Sequence, residues 1–288
     1  MRVEHIYRYP VKGFSAEALE EVALTPGQCL PHDRVYALAQ GDSPFDTAAP
    51  VWMRKTNFAC LAANARIAKL HTAYDPKTSQ LVIRPPEGAP LMLDLKKPAD
   101  RTRLEDFITD YLGEEARGRL RLAEAPGYNF TDIPQKSVSI ISLASLAALE
   151  RAHGMRLDPL RFRANIYVSG GAEWADFDLM GQEIQLGTAR LRVWKRIVRC
   201  PATEVNPDTA ERDARPRACC ARISAMPTWA CRPRCWKGAA SRWAMRWRSS
   251  PRPDPSPPER EAWAWSRWMW RWCWRWMFPP AWTSRNSR

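Results

Sequence analysis

The sequence predicts a β-rich α+β protein made of two folded units and a segment of unusual composition. Short runs that alternate apolar and polar residues recur between Pro, Gly and Asp turn residues, as strands do. Two stretches have the apolar spacing of amphipathic helices instead. The composition changes abruptly after about residue 213. We therefore expect domains at residues 1–120 and 121–213, followed by an anomalous Trp/Arg/Pro-rich tail at residues 214–288.

The first unit opens with the strand-like runs "VEHIYRYPVKG", "EEVALTPG" and "DRVYALAQ". Two further runs, "TSQLVIRPP" and "LMLDLKK", flank "EGAP" at the spacing of a hairpin. A helix is predicted over "RTRLEDFITDYLG", because Leu104, Phe107, Ile108 and Leu112 fall on one face and Gly113 can end it. Residues 1–120 are thus expected to form a small β-rich domain with a helix.

The second unit begins with "SVSIISLASLAALERAHG", which indicates a strand that enters a helix. Ser142 is the predicted N-cap of that helix, Leu143, Leu146 and Leu149 its buried stripe, and Gly154 its end. The runs "RFRANIYVSG" and "EIQLGTARLRVWKRIVRC" are strand-like. Neither face of "TARLRVWKRIVRC" is cleanly apolar, so one face is expected to line a polar site.

The formal net charge of +13 belongs entirely to the tail. Residues 1–213 hold 28 basic and 28 acidic residues, whereas residues 214–288 hold 16 and 3. The tail also holds five of the eight cysteines and 12 of the 15 tryptophans. This distribution argues against nucleic-acid binding by the two folded units.

A displaced reading frame accounts for the tail. With suitable synonymous codons, "ACCARISAMPTWACRPRCWKGAASRWAMRW" reads two nucleotides away as "LLRPHFGHADMGVSAEVLEGGSIAVGDAV", which contains alternating strands and a Gly-Gly turn. We therefore predict a frameshift near Asp213 and a mostly irregular tail, and we assign no metal to Cys231 and Cys235 of "CRPRC". The alternative is a membrane-surface or nucleic-acid anchor.

Several classes of protein and site are not expected. The start of the chain has no export signal, and no run approaches the apolar length of a membrane span, so a soluble cytoplasmic protein with reduced thiols is expected. The histidines (His5, His32, His71, His153) are too scattered to indicate a zinc site. Neither a Gly-rich phosphate loop nor a G-x-S-x-G motif occurs.

Cys200, in "VWKRIVRCPATEVNPDT", is the candidate for chemistry. Arg196 and Arg199 lie near it in sequence. Further basic residues lie at predicted strand ends: Lys12, Arg34, Arg54, Arg161 and Arg163. Converging arginines can bind a phosphate-bearing ligand, and a soft thiolate suits a metal carried by a cofactor. From the residues alone, a buried core cysteine, a nucleophile and a metal ligand all remain open for Cys200.

The segment from "RFRANIYVSG" through "RCPATEVNPDT" resembles the MOSC domain, named for the C-terminal domain of molybdenum cofactor sulfurase. The runs "YPVKG" and "DRVYAL" resemble the β-barrel domain that precedes it in many members. The resemblance covers residues 1–213 and implies a small N-terminal β-barrel-like domain followed by a MOSC β-barrel with a few helices, its last strands lost to the frameshifted tail. By this layout the chain is similar to the mitochondrial amidoxime-reducing component and its bacterial counterparts, which carry a molybdopterin cofactor.

The resemblance implies roles for residues of the second unit. Cys200 stands where the family has the thiolate that ligates molybdenum, and would be the catalytic residue. Arg163 and Asn165 match the Arg and Asn of the family's "FRPN" segment, which contacts the pterin, although Ala164 replaces the proline. Ser142 and Ser145 match an "S-x-x-S" at a helix start, where backbone N–H groups can bind an anion.

Cofactor-binding roles are also implied for the first unit. Lys12 and Arg34 occupy the two basic positions that reach the cofactor's phosphate. Gly13 falls where relatives have Ser or Gly, so only a backbone contact transfers to it. These residues together would form one anion-binding cleft between the two domains.

The implied function is that of a molybdenum-dependent oxidoreductase that reduces N-hydroxylated compounds such as amidoximes. No Cys-rich ferredoxin-like module follows, so electrons would come from a separate reductase. The alternative is a sulfur-carrier or cofactor-binding module for a pyridoxal-phosphate-dependent sulfurase, with a persulfide on Cys200. A third hypothesis is a defective product without activity. No nucleic-acid or membrane partner is expected.

Overall fold

The computed structural model describes residues 1–219, 229–233 and 243–246. All of these lie in the compact region Met1–Ser249, and the other compact region, Ser250–Arg288, lies outside the described residues. The strands are β1 (Arg2–Arg8), β2 (Glu17–Leu19), β3 (Glu21–Leu24), β4 (Tyr36–Ala39), β5 (His71–Asp75), β6 (Gln80–Arg84), β7 (Leu91–Asp94), β8 (Arg121–Glu124), β9 (Val138–Ser142), β10 (Ile166–Ser169), β11 (Glu183–Leu186), β12 (Ala189–Arg196), β13 (Trp229–Pro233) and β14 (Trp243–Arg246). The α-helices are α1 (Pro98–Leu112), α2 (Leu143–His153) and α3 (Pro216–Cys219). The predicted β-rich α+β class is confirmed.

The largest sheet joins the two predicted units. Its strand order is β11-β12-β13-β9-β10-β1-β2, and every pair is antiparallel except β9 and β10. Because β1 pairs with β10, Ile6 lies opposite Ile166. The core on this sheet likewise mixes Ile6 and Leu24 with Val138 and Leu191. The first strands of the chain therefore complete the sheet of the second unit.

The rest of the first unit has its own core. Strand β4 pairs with β8, and β5, β6 and β7 form a three-stranded sheet in which β6 and β7 are the predicted hairpin. Helix α1 buries Leu104, Ile108 and Leu112 against these sheets, and Gly113 follows it at a φ of 55°. The predicted helix is confirmed. It forms here because its apolar residues recur at the helical repeat and can face the core together. Phe107 is only partly buried.

The predicted strand-to-helix transition is also confirmed. Strand β9 leads directly into α2, and the side chain of Ser142 caps the helix by accepting a bond from Ser145 N at 3.4 Å. Gly154 ends the helix in the left-handed conformation, with φ 80°. Leu146 and Leu149 are buried as predicted.

Two strands lie in the tail, for which mostly irregular structure is predicted. Strand β13 fills the place between β12 and β9, and β14 pairs with β3. Part of the tail thus pairs with sheet edges, because an open edge offers N–H and C=O groups to any extended segment. The side chains of Cys231 and Cys235, and most of residues 220–288, lie outside the described residues, so the frameshift remains a prediction.

In the portion of the chain that is described, no helix has both the length and the apolar character needed to cross a bilayer.

Candidate functional site

A cleft lies where the first turns of the chain meet the segments around Arg163 and Cys200. Its volume is about 150 Å³, and it is open to solvent on one side. Of the described residues that line it, six are basic and one is acidic. The basic residues are Lys12, Arg34, Lys55, Arg161, Arg163 and Arg199, and the acidic residue is Asp132. This excess of cations suits an anionic ligand.

The turn after β1 places Lys12 and Gly13 at the cleft. Lys12 N donates to Tyr36 O at 2.8 Å, which ties this turn to β4. Gly13 has a φ of 88°, and a Cβ there would meet Ala59 O at 3.1 Å and Cys60 Cα at 3.3 Å. A glycine therefore suits this position, because a side chain would be strained at this φ and would need the neighbouring chain to shift.

Arg34 and Arg163 are held on the ring of buried Tyr9. Their guanidinium carbons lie 4.7 Å and 4.2 Å from the ring centroid. Arg34 pairs with the buried carboxylate of Asp33 and donates to Arg163 O at 3.1 Å. Arg163 donates to Phe14 O at 2.7 Å. The two arginines also have positive φ values of 52° and 50°, a strained conformation of the kind that concentrates at functional sites.

Arg163 has a buried N–H donor that is available to an anion. Burial raises the pKa of Tyr9 to about 12, so its ring stays neutral. Burial, together with the charge of Arg34, lowers the pKa of Arg163. Arg163 Nη2 is shielded from solvent and has no hydrogen-bond partner among the described residues, and no carboxylate in them pairs with Arg163. A buried donor of this kind gains most from an anionic acceptor.

Asp132 connects two lysines across the cleft. Its carboxylate lies 2.5 Å from Lys12 Nζ and 3.1 Å from Lys55 Nζ. The partial loss of solvent around the half-exposed Asp132 carboxylate opposes its ionisation, but the two ammonium groups outweigh this and hold its pKa below the usual range. Burial likewise opposes the charge on Lys55, yet Asp132 first and the Cys200 side chain second raise the pKa of Lys55. Lys55 and Cys200 line the same cleft.

Cys200 is half-buried and follows β12 after three residues without regular structure. Its carbonyl oxygen accepts bonds from Thr203 N at 3.1 Å and Thr203 Oγ1 at 3.0 Å, which begins the 3-10 turn Pro201–Glu204. Within the described ranges, no three His, Cys, Asp or Glu side chains form a group that could hold a metal ion.

Two arginines tie the segment after Cys200 to both walls of the cleft. Arg212 donates to Pro201 O at 2.9 Å, to Leu61 O at 3.1 Å and to Ala62 O at 2.9 Å. Arg161, which is buried, pairs with Asp213 at 2.7 Å. The position of Cys200 is thus fixed from both units.

Asn165 lines the cleft, but its hydrogen bonds hold the sheet together. Its Oδ1 accepts from Ser139 N at 3.1 Å and from Ser139 Oγ at 2.9 Å, and its Nδ2 donates to Tyr7 O at 3.1 Å. Ala164 N donates to Tyr167 Oη at 3.2 Å, a bond that proline could not make. The alanine also permits the left-handed conformation of Arg163, which a following proline disfavours.

Six of the eight predicted site residues meet at this cleft: Lys12, Gly13, Arg34, Arg163, Asn165 and Cys200. The structure places Ser142 and Ser145 elsewhere, at the start of α2. Ser145 Oγ donates to Asp176 Oδ1 at 2.6 Å and accepts from Trp174 N at 3.0 Å. A protein carboxylate thus already lies at this helix start, and the anion-binding role implied for the two serines finds no support in their placement.

Lys55 and Asp132 are the site residues that sequence reasoning missed. Arg54, the neighbouring basic residue that was a candidate from its position in the sequence, is exposed and does not line the cleft. No spacing links Lys55 to Asp132, because they are far apart in the chain and meet only through folding. The two adjacent basic residues in "MRKT" indicate a cation at this place, but the sequence does not show which of the two side chains faces the cleft.

Two family models match successive parts of the chain. The family model of the MOSC N-terminal beta barrel domain matches residues 1–117, and that of the MOSC domain matches residues 127–237. The crystal structure of the YUAD protein from Bacillus subtilis is similar to this chain, with 13% identity and a TM-score of 0.37; the match covers 85% of this chain and 90% of the YUAD chain. No curated protein matches the chain.

Proposed function

Because the chain belongs to the MOSC domain family, whose members are associated with molybdenum cofactor binding, we propose that it binds molybdenum-molybdopterin in this cleft and reduces N-hydroxylated compounds. The observation that carries the proposal is the placement of Cys200 on the wall of a cleft lined by six basic residues and one acidic residue. A thiolate ligand for the metal and cations for a phosphate are the groups that such a cofactor needs.

The residues present fit this cofactor. Arg163 offers a shielded N–H donor without a partner in the described structure, as expected where a ligand supplies the acceptor. Lys12 and Arg34 add charge on the same side of the molecule. The enclosed volume is about 150 Å³, so a ligand of the size of molybdopterin would extend into the open part of the cleft.

The chain's own residues would bind, orient and shield. Cys200 would ligate the metal, while Lys12, Arg34 and Arg163 hold the anionic part of the cofactor. Leu61, Ile197 and Phe162 supply apolar surface that limits access of water. The bound cofactor would supply the two-electron reduction of the N–O bond, which yields an amine or amidine and water.

A separate reductase would deliver the electrons, and the substrate would be a small N-hydroxylated base. We expect no nucleic acid or membrane among the partners of this activity.

The test is metal content and activity of Cys200→Ser, with Cys29→Ser as the control because Cys29 is a buried thiol that does not line the cleft. We expect about one molybdenum per chain in the parent and the control, little in Cys200→Ser, and loss of amidoxime reduction with an artificial electron donor. Full metal content and activity in Cys200→Ser would contradict the proposal. A metal-free parent that accepts sulfur at Cys200 from a pyridoxal-phosphate-dependent sulfurase would favour the sulfur-carrier alternative.

A further inference from the structure

Asp132 lies in the cleft where an anionic ligand would be expected. Its two carboxylate oxygens contact Lys12 Nζ and Lys55 Nζ at 2.5 Å and 3.1 Å. It is the one acidic residue among the described residues that line the cleft. A carboxylate that bridges two ammonium groups makes the same kind of contact as a phosphate oxygen pair does.

The two lysines and the carboxylate differ in how firmly the fold holds them. The side chains of Lys12 and Lys55 are 7% and 27% exposed, whereas that of Asp132 is 51% exposed. Lys12 also donates to Phe130 O at 2.9 Å and therefore keeps a partner without Asp132. Asp132 belongs to a turn outside the strands, in which Thr131 Oγ1 donates to Ile133 O at 2.7 Å. Rotation of the half-exposed Asp132 side chain alone would therefore free the two ammonium groups, and Lys12 would keep its bond to Phe130 O.

We propose that Asp132 is an internal anion that holds Lys12 and Lys55 ready in the absence of ligand and is displaced when a phosphate group enters. Lys55, to which the resemblance assigns no role, is then an anion-binding residue. The inference rests on the proposed function, because it concerns the same cleft and its phosphate-bearing ligand. The ligand and Asp132 compete for the same donors, so Asp132 weakens binding of the ligand while keeping the empty site ordered.

The first test measures binding of inorganic phosphate and pyrophosphate to the full chain by calorimetry at low ionic strength. Asp132→Asn keeps the shape of the side chain and removes its charge, so we expect it to bind about fivefold more tightly than the parent, the effect of one partly solvated charge contact. Asp42→Asn is the matched control, because Asp42 is 58% exposed, pairs with Arg117 and does not line the cleft. We expect no change in Asp42→Asn.

The same substitution is then made in a chain that lacks both lysines. This shows whether tighter phosphate binding comes from freeing Lys12 and Lys55, from the general loss of a negative charge, or from anion binding to the basic tail. In a Lys12→Met and Lys55→Met chain, Asp132→Asn should bring no gain, since the competed donors are gone. An unchanged or lower affinity of Asp132→Asn in the parent background, or an equal gain in the double-Met background or in Asp42→Asn, overturns the inference. The molybdenum content of the parent is measured in parallel with phosphate binding. A parent without molybdenum would contradict the proposed function, whatever the phosphate affinities show.

Discussion

Replacing Asp176 by asparagine should raise the stability of the protein at neutral pH. Asp176 is buried, with 7% of its surface exposed, and its Oδ2 has no hydrogen-bond partner among the described residues. Its Oδ1 accepts one bond, from Ser145 Oγ at 2.6 Å. Burial outweighs this bond and raises the pKa of Asp176 from 3.8 to about 6.

The raised pKa of Asp176 determines how this residue makes stability depend on pH. A carboxyl group whose pKa is higher in the folded state than in the unfolded state binds protons more tightly when folded. Its stabilising effect is complete below the unfolded pKa of 3.8 and is lost as the pH rises through about 6. A two-unit shift corresponds to about 3 kcal/mol at most, and residual solvation reduces this to about 1–2 kcal/mol. The ionised form therefore destabilises the protein at neutral pH.

Asparagine removes this penalty, because it is neutral and keeps an oxygen for Ser145. We expect the Tm of Asp176→Asn to exceed that of the parent by about 2–6 °C at neutral pH and the difference to vanish near about pH 4. Asp178→Asn is the control, since Asp178 lies in the same 3-10 turn and is exposed. Differential scanning fluorimetry across this pH range gives the comparison. A Tm difference that does not depend on pH, or that Asp178→Asn reproduces, would refute the reasoning.

Three further changes test other parts of the molecule. Gly13→Ala should lower both stability and metal content, because the new Cβ would lie only 3.1 Å from Ala59 O and the residue would be strained at a positive φ. The control is Gly88→Ala, where φ is 92° and nothing lies within 4 Å of the new Cβ; it should lower stability alone, by about 1 kcal/mol. Arg163→Ala should weaken cofactor binding by about 1.5–3 kcal/mol, measured as retained molybdenum after dialysis, while Arg101→Ala, which breaks contacts outside the cleft, should not. Restoring the displaced frame from about residue 214 should raise soluble yield and Tm and leave bound molybdenum per soluble chain unchanged, and equal soluble yields and Tm values for the two chains would argue that the tail is genuine.

The candidate site could be predicted only where a residue stands in a recognisable local motif. Cys200, Lys12 and Arg34 were found because their flanking sequences resemble those of a known family. Lys55 and Asp132 were not, since their meeting depends on the packing of the turns that carry them, and no local pattern records that packing. The contact of Ser145 with Asp176 could not be predicted for the same reason, because Asp176 is brought to α2 from a later turn.

The sequence by itself determined the elements whose signals are local. The β6–β7 hairpin, α1 and the β9–α2 transition with its Ser142 cap all follow from apolar period and capping chemistry over a few neighbouring residues. The tertiary structure alone decided that β1 joins the second unit's sheet through β10, and that six basic side chains line one cleft with Cys200. Such long-range contacts are set by how strand edges and apolar faces find partners across the whole chain, which a local pattern does not encode.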